Sequence, residues 1–358
     1  HYRGAVSLPS ITPAYAPQPA DVTWPTHEWP RGEIAQQERL VAVADEAFSR
    51  PELARTFGVV VIRGGRVLYE RYADVIEHFD REPEPISGDT PLLSWSMAKS
   101  MLHFIVGTLV EQGRLDPDAP APVPEWAGED DPRRAIRLAD LLAMRDGLDF
   151  SEVYSIDQPS HVVDMLFGVG QPDVSRYAAS RPLAHQPDTV YNYSSGTTNI
   201  ISGVVAGVLG AGDPYRTYLA DKLFTPLGMS HATPTFDEAG VWIASSYVHA
   251  PALEFAKFGL LYLRGGEWGD HQLVPRSWCD TAQIPRSQDP DNGHYYGWQW
   301  WITDDRYGTY WASGYEGQRI YVVPALDALV LRFGRTDAEH YPDIEAWRGR
   351  VLDVLAAS

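Results

Sequence analysis

The chain has 358 residues, 22% of them charged and 44% hydrophobic, enough for one large domain or two closely packed ones. Its 29 basic and 48 acidic residues give a net charge of -19, a surface that repels nucleic acid and anionic membranes, so neither is expected as a partner. One cysteine, Cys279, excludes an internal disulfide, and no apolar run is long enough to span a bilayer. The numbering opens at His1 instead of Met, as after removal of a signal peptide or tag, so localisation (cytoplasmic, or exported after signal removal) stays open.

Residues 1–35, rich in Pro and Trp, predict an extended N-terminal arm lying across a domain surface. Gln36 to Phe48 has helical spacing, and the β-rich runs Phe57 to Arg63 and Val67 to Tyr72 flank Gly64-Gly65, a hairpin signal. From Ser96 to about Met229 the pattern is mostly helical. Met97, Met101, Phe104, Ile105 and Leu109 recur at helical spacing, with Gly113 where a C-terminal cap belongs. Further helices are predicted over Leu138 to Arg145, Thr198 to Leu209 and Ala252 to Leu263. Strand patterns return at Gly308 to Ala312, Arg319 to Val323 and Ala328 to Phe333, before a last helix from Asp343 to Ala356. Strands at both ends around a helical middle imply an α+β fold, its antiparallel sheet built from both termini with an inserted helical subdomain. The expected division is 36–90 and 302–358 for the sheet domain and 91–301 for the helical one, with the active site between them.

Ser96-Met97-Ala98-Lys99 opens the first helix of the middle region. Residues three apart on a helix share a face, so the lysine can reach the hydroxyl. Serine is a poor nucleophile until a base takes its proton, and a buried lysine with a lowered pKa can be that base. The chain holds only three lysines, Lys99, Lys222 and Lys257. At ordinary serine usage, roughly 0.2 Ser-x-x-Lys matches would arise by chance. Tyr193-Ser194-Ser195 follows about a hundred residues later, ahead of an apolar helix, and could complete a proton relay with Ser96 and Lys99. Ala312-Ser313-Gly314-Tyr315-Glu316-Gly317-Gln318 joins two strand patterns, its small residues letting a strand edge approach a substrate.

These three elements in this order resemble the serine β-lactamase, penicillin-binding protein and esterase superfamily. Ser94 to Ser100, Leu141 to Phe150, Leu223 to Met229 and Phe258 to Leu263 look like the class C β-lactamase-related serine hydrolases. The Gly147 to Tyr154 stretch and Ser313-Gly314-x-x-Gly317-Gln318 look most like the 6-aminohexanoate-dimer (nylon-oligomer) hydrolases and related carboxylesterases. The similarity runs over roughly residues 55 to 357. It implies a β-lactamase/transpeptidase-like fold with Ser96 as nucleophile, Lys99 as general base and Tyr193 as proton donor to the leaving group. It further implies an oxyanion hole of the Ser96 and Tyr315 backbone N–H groups and substrate contacts from Tyr154, Ser195, Ser313 and Gly314. Trp311 joins these as an expected wall of an apolar pocket.

Departures from the pattern bear on substrate. Where β-lactamases begin the third motif with a carboxylate-binding lysine this chain has Ala312, and Ser195 stands where they usually carry asparagine. The expectation is hydrolysis of carboxylic esters, and of small linear amides, through an acyl-enzyme on Ser96. Neither metal nor organic cofactor is needed, and the partner is a small-molecule substrate, with a homodimer left open. A β-lactamase or D-amino-acid peptidase, an acyltransferase and a non-catalytic binding relative are the alternatives. No Gly-x-Ser-x-Gly elbow or His-Glu-x-x-His is present. Asp289 to Gly293 reads as a proline-bearing turn, and His103 as a packed helix residue.

Overall fold

Gly64 and Gly65 both hold positive φ (57° and 71°), the geometry of the tight turn that suits twisted strands. They join β1 (Thr56–Arg63) to β2 (Arg66–Tyr72) in the computed structural model, which describes residues 8–78, 82–154 and 158–358. The remaining strands of the same sheet come from the far end of the chain. They are β3 (Ser287–Gln288), β4 (Tyr295–Tyr296), β5 (Trp301–Ile302), β6 (Tyr310–Gly314), β7 (Gln318–Val323) and β8 (Ala328–Gly334). The order is β3-β4-β5-β6-β7-β8-β1-β2, antiparallel throughout, with β8 pairing β1 so that Val61 faces Val330. The sheet thus takes strands from both ends, as expected, but begins ahead of residue 302. The two-residue strands β3 and β4 are too short to show a period in sequence.

Side chains alternate across the sheet. Val60, Ile62, Ile320, Val322, Leu329 and Leu331 enter one core, and Val59, Val61, Tyr321, Val323 and Val330 enter another. The second core is closed by α1 (Gln37–Ser49) and the C-terminal helix (Tyr341–Ala356), through Leu40, Ala44, Trp347, Val351 and Leu352. The first core holds α2 (Ala98–Glu111), buried from Ala98 to Leu109 with Lys99, Ser100, His103 and Thr108 among its apolar residues. Gly113 ends it at φ 66° with the Arg114 N–H on the Leu109 carbonyl, a helix-terminating motif. The helix expected over 138–145 is shorter: α3 spans Leu138–Leu142, because Met144 takes a left-handed φ of 58°. After two short helices, His161–Phe167 and Val174–Ala179, comes α4 (Ser195–Leu209), whose N-cap is Ser194, with its Oγ accepting the Thr197 N–H at 3.0 Å. The helix α5 (Ala252–Leu263) lies against the sheet, Gly259 being so close to Ile320 that a Cβ there would come within 2.8 Å.

Residues 8–35 contain no helix and run along α5, with the Ala16 N–H on the Leu263 carbonyl at 3.1 Å and Trp29 Nε1 donating to the Leu253 carbonyl. Lys257 returns a bond to the Thr26 carbonyl at 3.1 Å. Among the described residues no helix is long and apolar enough to cross a membrane.

Candidate active site

Three loops meet at the start of α2. The first is the turn Trp95–Met97, in which Trp95 adopts φ 44°, a left-handed backbone unfavourable for a bulky residue. Ser94 anchors that turn from below: its N–H bonds the Val248 carbonyl at 2.8 Å and its Oγ accepts the Val248 N–H at 3.0 Å. From the sheet side, Gly314 at the end of β6 comes so near that a Cβ would sit 2.4 Å from the Ser94 carbonyl oxygen. Only glycine lets strand and turn approach this closely.

Lys99, one helical turn after Ser96, is buried in the first core and surrounded by three oxygen atoms. Its Nζ lies 3.0 Å from Ser96 Oγ, 3.0 Å from Ser195 Oγ and 2.9 Å from the Ser245 carbonyl. Burial disfavours the ammonium and pushes its pKa down to about 8, against an opposing pull from Glu152. The Tyr193 ring lies under the amine, 5.0 Å from its centroid. Burial is also the main influence on the Tyr193 phenol, raising its pKa above the ordinary value despite a hydrogen bond with Ser96. The two groups are driven in opposite directions, which leaves the lysine able to shed its proton near neutrality and the tyrosine holding its own.

Ser195 is placed by a second set of bonds. Asp146 Oδ2 accepts the Thr197 hydroxyl at 2.5 Å and Asn192 Nδ2 donates to the Phe150 carbonyl at 3.0 Å, tying the 144–154 segment to the start of α4. Gly147, at φ 79°, permits the crossing, since a Cβ there would meet the His185 carbonyl at 2.3 Å. That segment delivers Glu152, which accepts the Ser195 N–H at 2.8 Å, the Ser195 hydroxyl at 2.5 Å and the Tyr154 hydroxyl at 2.9 Å. Sequence reading passed Glu152 over. The available signal was its spacing of two from Tyr154, which puts both side chains on one side of an extended segment.

Beside Ser96 the Tyr154 ring stacks on Tyr315 at 4.7 Å, and Tyr315 meets the Trp95 ring edge-on at 5.5 Å. Tyr247 flanks Trp95 at 5.9 Å. These four rings form an aromatic rim beside Ser96. Ser313 and Gly314 end β6 next to the rim, Ser313 half-buried. Trp311 is not part of it. Only 3% exposed, it packs in the second core against Tyr321 and Trp301, and Trp301 in turn touches Tyr193. The strand period explains this, because Trp311 points to the opposite face from Ala312. Ala312 itself is buried in the first core. His103 packs as expected, bonded to the Tyr262 and Thr281 hydroxyls at 2.6 and 2.8 Å and kept neutral by burial. Asp289 makes the expected turn, its Oδ1 accepting the Asp291 and Asn292 N–H groups.

Comparison with known proteins identifies the fold and the family. The chain is 27% identical over 354 residues to the 6-aminohexanoate-dimer hydrolase of Paenarthrobacter ureafaciens, covering 92% of this chain and 85% of that one. Among solved structures it superposes on a Bacillus anthracis protein named as a candidate 6-aminohexanoate-dimer hydrolase (TM-score 0.73, 18% identity, 96% of this chain and 90% of that one). A family VIII carboxylesterase gives a TM-score of 0.69 at 13% identity, over 91% of this chain and 99% of the other. At such identities the structural matches speak for the β-lactamase/transpeptidase-like fold. The Beta-lactamase family model matches residues 42–352, so the chain belongs to the beta-lactamase family of hydrolases.

Proposed function

We propose that the protein is a serine hydrolase that cleaves carboxylic esters and small linear amides through an acyl-enzyme on Ser96. The carrying observation is the 3.0 Å approach of a desolvated Lys99 Nζ, its pKa brought to about 8, to Ser96 Oγ.

In acylation, neutral Lys99 takes the Ser96 hydroxyl proton as Oγ attacks the substrate carbonyl carbon. The tetrahedral oxyanion is received by the backbone N–H groups of Ser96 and Tyr315, which flank the narrow approach that Gly314 allows. Tyr193 gives its proton to the departing alcohol or amine and regains one from the Lys99 ammonium. In deacylation a water attacks the ester, its proton passes to the same Tyr193–Lys99 pair, and Ser96 Oγ leaves as the hydroxyl. Tyr193 serves as donor because burial keeps its phenol protonated.

The rim of Trp95, Tyr154, Tyr247 and Tyr315 favours a small apolar acyl or leaving group. A buried Ala312 offers no fixed cation to the carboxylate of a penicillin or a peptidoglycan peptide. Wild type is expected to hydrolyse p-nitrophenyl butyrate, with Ser96→Ala and Lys99→Ala inactive and penicillin a poor substrate. Retained turnover in Ser96→Ala would remove the acyl-serine, and efficient penicillin turnover would remove the argument from Ala312.

A further inference from the structure

Lys99 faces three oxygen atoms at near-equal distance, but a neutral amine has two N–H bonds and one lone pair. Which partner meets the lone pair decides whether the amine can act as a base. The Ser245 carbonyl can only accept, so it takes one N–H. Ser195 Oγ could either donate or accept, but its proton is committed elsewhere: Glu152 Oε1 lies 2.5 Å away and, as a carboxylate, can only accept. Toward Lys99, therefore, Ser195 accepts as well. Both N–H bonds are used, and the lone pair falls on the Ser96 hydroxyl.

We propose that Glu152 is a positioning residue for catalysis, fixing the Ser195 hydroxyl so that the Lys99 lone pair is reserved for Ser96; this rests on the acyl-serine reading above. The arrangement also fits the next state. Once Lys99 carries the Ser96 proton, its third N–H points at Ser96 Oγ and all three donors have acceptors with no regrouping, as preorganised catalysis requires. Without the carboxylate, Ser195 is free to rotate and donate to the lone pair, which silences the base. Glutamine cannot substitute, because three donors converge on this carboxylate: the Ser195 N–H, the Ser195 hydroxyl and the Tyr154 hydroxyl. An amide would turn an NH₂ toward one of them. The titratable groups facing Lys99 are the Tyr193 phenol, from the segment preceding α4, and Glu152 beyond Ser195, with Tyr154 beside Glu152.

The test is the pH dependence of kcat and KM on p-nitrophenyl butyrate for wild type, Glu152→Gln and Glu152→Asp, with Ser96→Ala as control. Glu152→Gln should lower kcat about 100-fold with little change in KM. It should also move the acid limb of the profile to lower pH, since the carboxylate no longer favours the ammonium. Glu152→Asp, which keeps the charge, should hold the wild-type limb and recover part of the rate. A Glu152→Gln enzyme with wild-type kcat, or one that loses rate with its acid limb in place, overturns the inference and leaves the acyl-serine intact. An active Ser96→Ala overturns the acyl-serine itself. If Glu152→Gln does not fold, Ser195→Ala and Ser195→Thr decide. A kcat lost in alanine and restored in threonine supports the bridge, and an unimpaired alanine variant refutes it.

Discussion

On the sheet face covered by α1 and the C-terminal helix, Val59, Val61 and Val330 meet Leu40, Ala44, Trp347 and Leu352. Some ion pairs there, such as Arg350 with Glu46 and Arg306 with Asp353, sit at the margin where water screens them, while buried Arg348 on the C-terminal helix is held by Asp305 and Glu345 and buried Arg332 by the Leu53, Glu316 and Gly317 carbonyls. On the opposite face α2 carries Lys99, Ser100, His103 and Thr108 into the interior, and each has a named partner: Ser195 and Ser245, the Gln299 carbonyl, Tyr262 and Thr281, and the Ile105 carbonyl. Burying a polar group without a partner costs several kcal/mol. Both faces of the sheet thus bury polar groups with partners in place, but they differ in what those groups reach. On the first face the arginines tie strands, loops and the C-terminal helix together, whereas on the second Lys99 is brought onto Ser96, so its geometry must serve chemistry as well as the fold.

The comparison can be broken from either side. The largest effect belongs to the face that carries Ser96: on the proposed mechanism Ser96→Ala should lower kcat/KM for p-nitrophenyl butyrate by about 10⁴-fold or more while leaving the thermal midpoint near wild type. The mirror-image result belongs to Trp347→Ala on the other face. Denaturant unfolding should show a loss of about 3–5 kcal/mol, with kcat per folded enzyme unchanged. A fall in kcat there would show that the two faces are coupled. Gly314→Ala would bring a Cβ to 2.4 Å from the Ser94 carbonyl, pushing strand from turn, and about a 100-fold drop in kcat is expected from steady-state kinetics. The smallest effect is the proton dependence. In the proposed mechanism Lys99 acts in its neutral form, so below its pKa of about 8 kcat/KM should fall about tenfold per pH unit and above it level off. A profile flat from pH 6 to 9 would mean that Lys99 is not the titrating base.

The meeting of Ser96, Lys99 and Tyr193 was legible because Ser96 and Lys99 lie within one helix turn and Tyr193 was indicated by a resemblance spread over the chain. The long strands and helices were legible from their periods. What escaped did so for different reasons. Glu152 touches Ser195 because Gly147 and Asp146 bend the 144–154 segment onto α4. Trp311 was assigned to the pocket from its aromatic neighbours, when strand alternation already directed it away from Ala312. The two-residue strands β3 and β4 carry no readable pattern.

The pairing of β8 with β1 has a consequence for biosynthesis. Arg332 of β8 bonds Thr56 of β1 across 276 residues of sequence. At typical translation rates of 5–20 residues per second, the nascent β1 waits roughly 15 to 55 seconds for its permanent neighbour. Throughout that interval the edge of Val59-Val60-Val61-Ile62 offers its backbone groups to whatever strand comes near, the condition under which chains aggregate. The yield of folded protein in a cell will therefore depend on how well chaperones or slow expression shield that edge until the last strand is made.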